Sequence, residues 1–342
     1  MKEALRTLAL GRSLSEAQTY AAFCSMMDER SEVTDSQIGA FLLGTAIRPP
    51  TSEELVGGVR ALRDHMVRVP IAPAQKLLDT CGTGGTGLDC FNTSTIAALV
   101  SAAAGQPTAK HGNRAATSTC GSADLLEALG VSLDLDARAL AACCQETGFC
   151  FMFAPRHHPA TKRVQIVRKQ LPFRSIFNFL GPLSNPAGAV FQVVGVSELT
   201  LLPVIAKALS GLGVERALVV RGEDGVDELS LGAPTRVFEI AQGQISEYQV
   251  TPEQFGFHRV PVAEMPGGSV ERSANTARSI LKGERSPYRD LVVLNSAAGL
   301  YVSGRAPSIE AGIGLAERAL DSGLAAKVLE QVVGFTQRQN EH

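Results

Sequence analysis

No Cys-x-x-Cys pair occurs in this chain, and none of its seven cysteines, at 24, 81, 90, 120, 143, 144 and 150, falls with histidine at zinc-ligand spacing. The count is odd, so these read as reduced and mostly buried thiols rather than a disulfide framework or a zinc site. A strong charge of either sign is also missing. The formal net charge is −2, so nothing in the overall balance points to nucleic acid or an anionic membrane, and any phosphate binding has to be local. The apolar stretch in the N-terminal MKEALRTLALGRS is too short and too interrupted for a secretory signal. The most apolar run, roughly 95–105, is too short to cross a bilayer. A cytoplasmic protein is expected. What remains is ordinary globular composition, 45% hydrophobic and 19% charged, in 342 residues. That is enough for one large domain or two modest ones.

Residues 1–67 carry helical spacing: Leu5, Leu8 and Leu10; Ala17, Tyr20, Ala21 and Cys24; Ile38, Phe41, Leu42 and Ala46. Ser13 with Glu16, Asp35, and Thr51 with Glu54 read as helix starts. Pro49-Pro50 breaks the third helix from the fourth, and Pro70 and Pro73 mark a linker. Beyond Gln75 the pattern changes to short apolar runs between glycine turns and alanine-rich helices. Strands are predicted at 76–80, 108–110, 191–196, 217–220, 236–240 and 290–295. Helices are predicted at 94–104, 123–129, 136–147, 201–212 and 309–322. The alternation predicts an α/β fold, with a mostly parallel sheet covered on both faces. Residues 155–188 read as a helix and an ordered turn, with roughly 160–185 packing back on the N-terminal helices. The domain expectation is 1–70 helical and 71–342 α/β.

Three segments have the composition of a site. Residues 82–87 read Gly-Thr-Gly-Gly-Thr-Gly after an apolar strand, with Asn92, Ser94 and Thr95 at the start of the next helix. Clustered glycines let backbone N–H groups approach phosphate oxygens, and a helix start adds free donors. The spacing fits a dinucleotide fingerprint, but no acidic residue occurs from 90 to 123 to hold a ribose. A Walker loop fails for want of Lys-Ser/Thr. A phosphate cradle and a plain tight turn remain. Residues 110–114, Lys-His-Gly-Asn-Arg, are followed by Thr117, Ser118, Thr119, Gly121 and Ser122. They form either a second anion-binding loop or a solvated basic turn. Two such loops at adjacent strand ends would suit a ligand with two phosphate groups. Residues 221–230, RGEDGVDELS, follow a strand and offer Asp227 and Glu228 as oxygen ligands for Mg²⁺, unless they form a polar surface loop. His157-His158 lacks metal-site spacing.

Taken together, GTGGTG (82–87), FNTST (91–95), KHGNR (110–114), GSADLLEALG (121–130), FAPRHHPA (153–160), IFNFLGPLSNPAG (176–188) and GEDGVDELS (222–230) resemble the anthranilate phosphoribosyltransferase family, over nearly the whole chain. The resemblance implies a small helical domain and a larger α/β domain with the site in the cleft between them. It also implies a homodimer formed through the helical domain and a step of tryptophan biosynthesis. The reaction would transfer the phosphoribosyl group of phosphoribosyl pyrophosphate (PRPP) to the amine of anthranilate, with two Mg²⁺ per site. PRPP would be held by Gly82, Gly85, Thr86, Cys90, Asn92, Thr93, Ser94, Thr95, Lys110, His111, Gly112, Asn113, Arg114, Ala115, Ala116, Thr117, Ser118 and Ser122. Ser94, Asp227 and Glu228 would hold Mg²⁺. Gly82, Asn113 and Arg168 would meet anthranilate, with His111, Pro155, His158 and Gly181 lining its path.

The chemistry needs no general base, because the amine of anthranilate is neutral at pH 7 and attacks directly. Orientation and stabilisation of the leaving pyrophosphate would carry the rate. Arg168 can pair both oxygens of a carboxylate with its planar fork. Five positions depart from the family pattern: Thr86 stands for a usual Asp, Cys90 for Thr or Ser, Arg221 for His, and Pro49-Pro50 for a Lys/Arg-Gly turn. Asp89 is a candidate substitute for the carboxylate absent at 86. The alternatives are a transferase of the same fold for another aromatic amine, and a non-catalytic PRPP- or nucleic-acid-binding relative.

Overall fold

The computed structural model describes residues 1–72, 74–115 and 119–339. Pro73, expected in the linker, and Ala116, Thr117 and Ser118, expected at the phosphate site, lie outside the described residues. The chain opens with α1 (Lys2–Ala9), α2 (Glu16–Met27), α3 (Asp35–Ala46) and α4 (Ser52–His65). Thr51 caps α4 with Glu54, as its sequence indicates, but the caps of α2 and α3 are Ser15 with Gln18 and Thr34 with Gln37. The α2 start lies two residues beyond Ser13 because Leu14 is buried and its N–H donates to Glu54 Oε1 at 2.9 Å.

There follow β1 (Leu78–Gly82), α5 (Thr93–Ala103), β2 (Thr108–Gly112), α6 (Ser122–Ala128), α7 (Ala137–Thr147) and β3 (Phe149–Phe153). Three short helices come next, α8 (Ala154–His157), α9 (Lys162–Arg168) and α10 (Phe177–Leu180), and then β4 (Phe191–Gly195), α11 (Leu202–Gly211) and β5 (Arg216–Gly222). The hairpin β6 (Thr235–Ala241) and β7 (Gln244–Val250) precedes α12 (Val270–Leu281), α13 (Pro287–Val302), α14 (Ile309–Asp321) and α15 (Leu324–Arg338).

The seven strands run in the order β3-β2-β1-β4-β5-β6-β7. The first five are parallel, and β6 and β7 are antiparallel. One apolar core joins β2 and β3 to α5, α7, α13 and α15; another joins β4 and β5 to α1–α4 and α11. Val164, Val167 and Phe177 belong to the second core, and the Phe177 ring stacks on Phe23 at 4.7 Å between centroids. The segment after β3 thus packs on the N-terminal helices.

The strand predicted at 290–295 is wrong. Asp290 and Asn295 lie in α13, capped by Ser286 with Pro287 in its first turn. Twelve of its sixteen residues are buried. A helix covered on nearly every side shows a continuous apolar run, and the 3.6-residue period disappears. Strands β3 and β7 were not anticipated.

Sheet order decides where the site lies. After β1 the chain builds outward through β2 and β3, then returns to β4 on the other side of β1. A crevice opens beyond the carboxyl ends of β1 and β4, at that reversal of direction.

Candidate active site

The glycine loop leaves β1 into this crevice. Gly84, Gly85 and Gly87 take φ of +58°, +75° and +75°, which side chains disfavour. Among the described residues, the N–H groups of Gly85, Thr86 and Gly87 donate to no protein acceptor. The loop therefore offers three backbone donors. Gly82 and Gly195 end two neighbouring strands for a steric reason. A Cβ at Gly82 would stand 2.6 Å from Asp227 Oδ2, and one at Gly195 would overlap the Asp227 carbonyl. The missing side chains let the acidic loop after β5 lie directly across both strand ends.

Asp227 accepts the Gly84 N–H at 3.2 Å. Glu228 accepts from the Thr93 hydroxyl and the Ser94 N–H at the start of α5. Both residues are half-buried, and lost hydration raises both carboxyls. Glu228 is pushed up to about 8, further helped by its neighbour Asp227. Neither forms an ion pair with Lys or Arg among the described residues. Two adjacent carboxylates with the Ser94 hydroxyl nearby, and no third acidic, His or Cys side chain grouped with them among the described residues, suit Mg²⁺. That ion takes few protein ligands and completes its shell with phosphate and water oxygens.

Asn295 holds this loop in place. Its Oδ1 accepts the Leu229 N–H at 3.0 Å, and its Nδ2 donates to the Leu229 carbonyl at 3.0 Å. This residue was missed because its segment was read as a strand.

The Lys-His-Gly-Asn-Arg segment divides its tasks. Lys110 is buried, and its Nζ reaches beneath β1 to the Thr80 carbonyl and, at 3.2 Å, Ser94 Oγ. Burial lowers its pKa against the opposing pull of Asp79. It underpins the α5 start from inside. Gly112 is required because a Cβ would lie 2.3 Å from Ser122 Oγ and 2.7 Å from the Phe151 ring. Asn113 projects into solvent, and its carbonyl accepts Ser122 Oγ at 3.2 Å. Arg114 turns away to Asp124 (3.0 Å) and Glu127 beside α6, so its charge is already matched. Ala115 N–H donates to Asp124 at 2.9 Å.

Several other positions expected at the phosphates are buried or engaged. The side chains of Thr93 and Thr95 are fully buried, and the Thr95 hydroxyl has no hydrogen-bond partner among the described residues. Asn92 Nδ2 donates to the Cys120 carbonyl at 3.0 Å. Burial and nearby carboxylates push the Cys90 thiol up to about 12, so it stays protonated. Asp89 accepts from the Gly268 N–H at 3.1 Å and the Thr119 hydroxyl at 3.2 Å. Its carboxylate is thus linked to the approach to α12, while the residue stays exposed and meets no cation among the described residues.

Of the acceptor candidates, His111, His158 and Gly181 lie together. His111 Nδ1 donates to the Gly181 carbonyl at 3.1 Å, and its ring lies 5.3 Å from that of His158. Burial holds His111 at about 3 and His158 at about 4, so both rings are neutral. Half-buried Arg168 lies over the Phe177 ring at 5.3 Å and donates to Asn178 Oδ1 at 3.3 Å. No carboxylate pairs with it among the described residues. Pro155 is exposed at the start of α8.

Two buried residues brace both halves. Asp79 accepts the His111 N–H at 3.2 Å and Asn185 Nδ2 at 2.8 Å, while Asn185 Nδ2 also donates to the Ala109 carbonyl at 2.9 Å. The Ser-Asn-Pro turn is thereby fastened to β1 and β2.

The helical-bundle model of a glycosyl transferase family matches residues 2–66, and the α/β-domain model of that family matches 74–326. The anthranilate phosphoribosyltransferase of Symbiobacterium thermophilum is 46% identical over 338 residues, spanning 99% of this chain and 98% of its own. The chain belongs to the anthranilate phosphoribosyltransferase family. The family member from Methanosarcina acetivorans is 47% identical, over 98% of this chain and 90% of its own. The crystal structure of the Thermus thermophilus member superposes with a TM-score of 0.91 at 42% identity, covering 98% of this chain and 99% of that one. The Saccharomyces cerevisiae member, solved in complex with PRPP and Mg, gives 0.89 at 25% identity, covering 98% of this chain and 97% of that one.

Proposed function

We propose that this chain transfers the 5-phosphoribosyl group of PRPP to the amine of anthranilate, releasing pyrophosphate, as the second step from chorismate toward tryptophan. What supports it is a glycine loop with three N–H groups that meet no protein acceptor and an Arg168 that meets no carboxylate, both among the described residues, linked through the segment 174–178. The N–H groups of Gly85, Thr86 and Gly87 and the start of α5 would hold the phosphate oxygens. Asp227, Glu228 and Ser94 would hold Mg²⁺, in the proposed arrangement two ions per site, which neutralises charge gathering on the leaving pyrophosphate. Arg168 would clamp the anthranilate carboxylate, with neutral His111 and His158 beside its ring. No side chain need take a proton before attack. A His111 ring held at about 3 is a poor base, and the acceptor amine is already neutral. Acceleration then comes from orientation and fixed dipoles.

The test is loss of anthranilate fluorescence on mixing the chain with PRPP, anthranilate and Mg²⁺. Loss that needs Mg²⁺ and is impaired by Arg168→Ala supports the assignment. Absence of loss, alongside thermal stabilisation by PRPP, moves the acceptor to another aromatic amine.

A homodimer through the helical domain belongs to the same reading. Leu10, Leu43 and Ile47 are 68%, 51% and 65% exposed near the packed α1 and α3, an apolar surface suited to a second copy. Sedimentation of Leu43→Glu/Ile47→Glu as a monomer beside a dimeric parent supports it; a monomeric parent refutes it. No helix among the described residues is long and apolar enough to cross a membrane, in keeping with the proposed cytoplasmic location.

A further inference from the structure

Arg174 lies between α9 and α10 and has no carboxylate partner within ion-pair distance among the described residues. Its Nη2 donates to the Thr83 carbonyl at 2.9 Å. Its Nη1 donates to Ser197 Oγ at 2.7 Å and the Gly85 carbonyl at 3.3 Å. The guanidinium lies over the Phe179 ring at 5.3 Å. Gly85 makes room for it, since a Cβ there would stand 2.5 Å from Nη1. Ser197 in turn donates its N–H to Thr83 Oγ1 at 3.0 Å. One cation thus gathers the glycine loop and the turn after β4.

The consequence follows from peptide geometry. In a trans peptide the carbonyl and the following N–H point in opposite directions. With the Thr83 carbonyl turned to Arg174, the Gly84 N–H points away, to Asp227. With the Gly85 carbonyl turned to Arg174, the Thr86 N–H also points away from it, without a protein acceptor among the described residues. Arg174 therefore fixes which face of the loop shows its donors.

The same short segment is tied to the acceptor side. Asn178 Oδ1 accepts both Arg168 Nη2, at 3.3 Å, and the Ser175 N–H, at 2.9 Å. Ser175 is the next residue after Arg174. A path of hydrogen bonds and one peptide link runs from the arginine assigned to the acceptor carboxylate to the loop assigned to the donor phosphates.

We propose that Arg174 is a positioning residue that sets the glycine loop in its phosphate-accepting form and couples that form to carboxylate binding at Arg168. This rests on the transferase reading of the two half-sites. Either ligand then favours the conformation the other requires, and the effect is reciprocal.

The experiment is calorimetric titration of PRPP with Mg²⁺ into the full-length chain and its Arg174→Lys and Arg174→Gln variants, with and without saturating benzoate, a carboxylate that lacks the reacting amine. Lysine keeps the charge but not the planar fork; glutamine keeps donors without charge. Expected is about fivefold tighter PRPP binding with benzoate in the parent, the low end of an ordinary coupling. Both variants are expected to bind PRPP about 10-fold more weakly, the scale of a lost charged hydrogen bond, with no benzoate effect and benzoate affinity unchanged. PRPP affinity and benzoate response matching the parent in both variants overturn the proposal. So does loss of PRPP and benzoate affinity together with a lowered Tm, the mark of general unfolding. No PRPP binding by the parent overturns the transferase reading itself.

Discussion

Gly82 and Asp227 occupy each other's space: a single methyl on Gly82 would stand 2.6 Å from Asp227 Oδ2. Gly82 is not at positive φ, so alanine is compatible with its backbone and the conflict is confined to Asp227. Gly82→Ala is expected to leave Tm nearly unchanged, raise the Mg²⁺ concentration for half-maximal activity, and lower kcat/KM at least ~10-fold, or ~1.4 kcal/mol. Steady-state rates across a Mg²⁺ series check this; parent-like Mg²⁺ dependence counts against Asp227 as a ligand.

Asn295 binds both backbone groups of Leu229 and is buried. Asn295→Ala leaves a buried N–H and carbonyl without partners, at a cost of about 2–3 kcal/mol. Urea unfolding should show a lower midpoint with an unchanged slope. Weaker Mg²⁺ stabilisation is expected as well, because the adjacent Glu228 loses its anchor.

Asn185 supplies the side-chain amide donor to buried Asp79, whose carboxyl burial pushes up to about 6. Because that pKa is raised, the contribution of Asp79 is full below its ordinary pKa and is lost as pH rises through about 6. Asn185→Ala removes a donor to the charged form and so should destabilise more at pH 8 than at pH 5. A loss equal at both pH values would show that Asp79 is not the affected group.

His111 and His158 run the other way. Their folded pKa values, about 3 and about 4, lie below the ordinary 6.5. The unfolded chain therefore binds protons first, and stability falls as pH drops below 6.5 toward 4. The double variant His111→Asn/His158→Asn should lose less stability between pH 7 and pH 5 than the parent does. An identical slope in melting experiments would place the acid sensitivity elsewhere.

Much of the site is local chemistry, and local chemistry is legible in sequence. A run such as 82–87 can be recognised because glycines permit backbone conformations other residues resist. Thr51 and Glu54 announce a helix start because a cap is a four-residue interaction. Alternating strands and helices announce the parallel sheet, since parallel neighbours need a crossover between them.

Other features depend on what lies against a residue, and sequence does not encode that directly. Helix α13 concealed its period because neighbouring elements cover nearly all of it, and with it went Asn295. Arg114 and Arg174 look alike in a basic stretch. The fold pairs the first with Asp124 and Glu127, and sets the second, without a carboxylate partner among the described residues, behind the glycine loop. Asp89 accepts a backbone N–H from the approach to α12, a contact between segments far apart in the chain. By itself the sequence determined the fold class, the segments of the site and the kind of ligand each could hold, because those follow from backbone freedom and side-chain chemistry. Only the tertiary structure decided which charges are spent on partners within the protein and which remain for a ligand, because ion pairing and desolvation depend on distances between segments far apart in the chain.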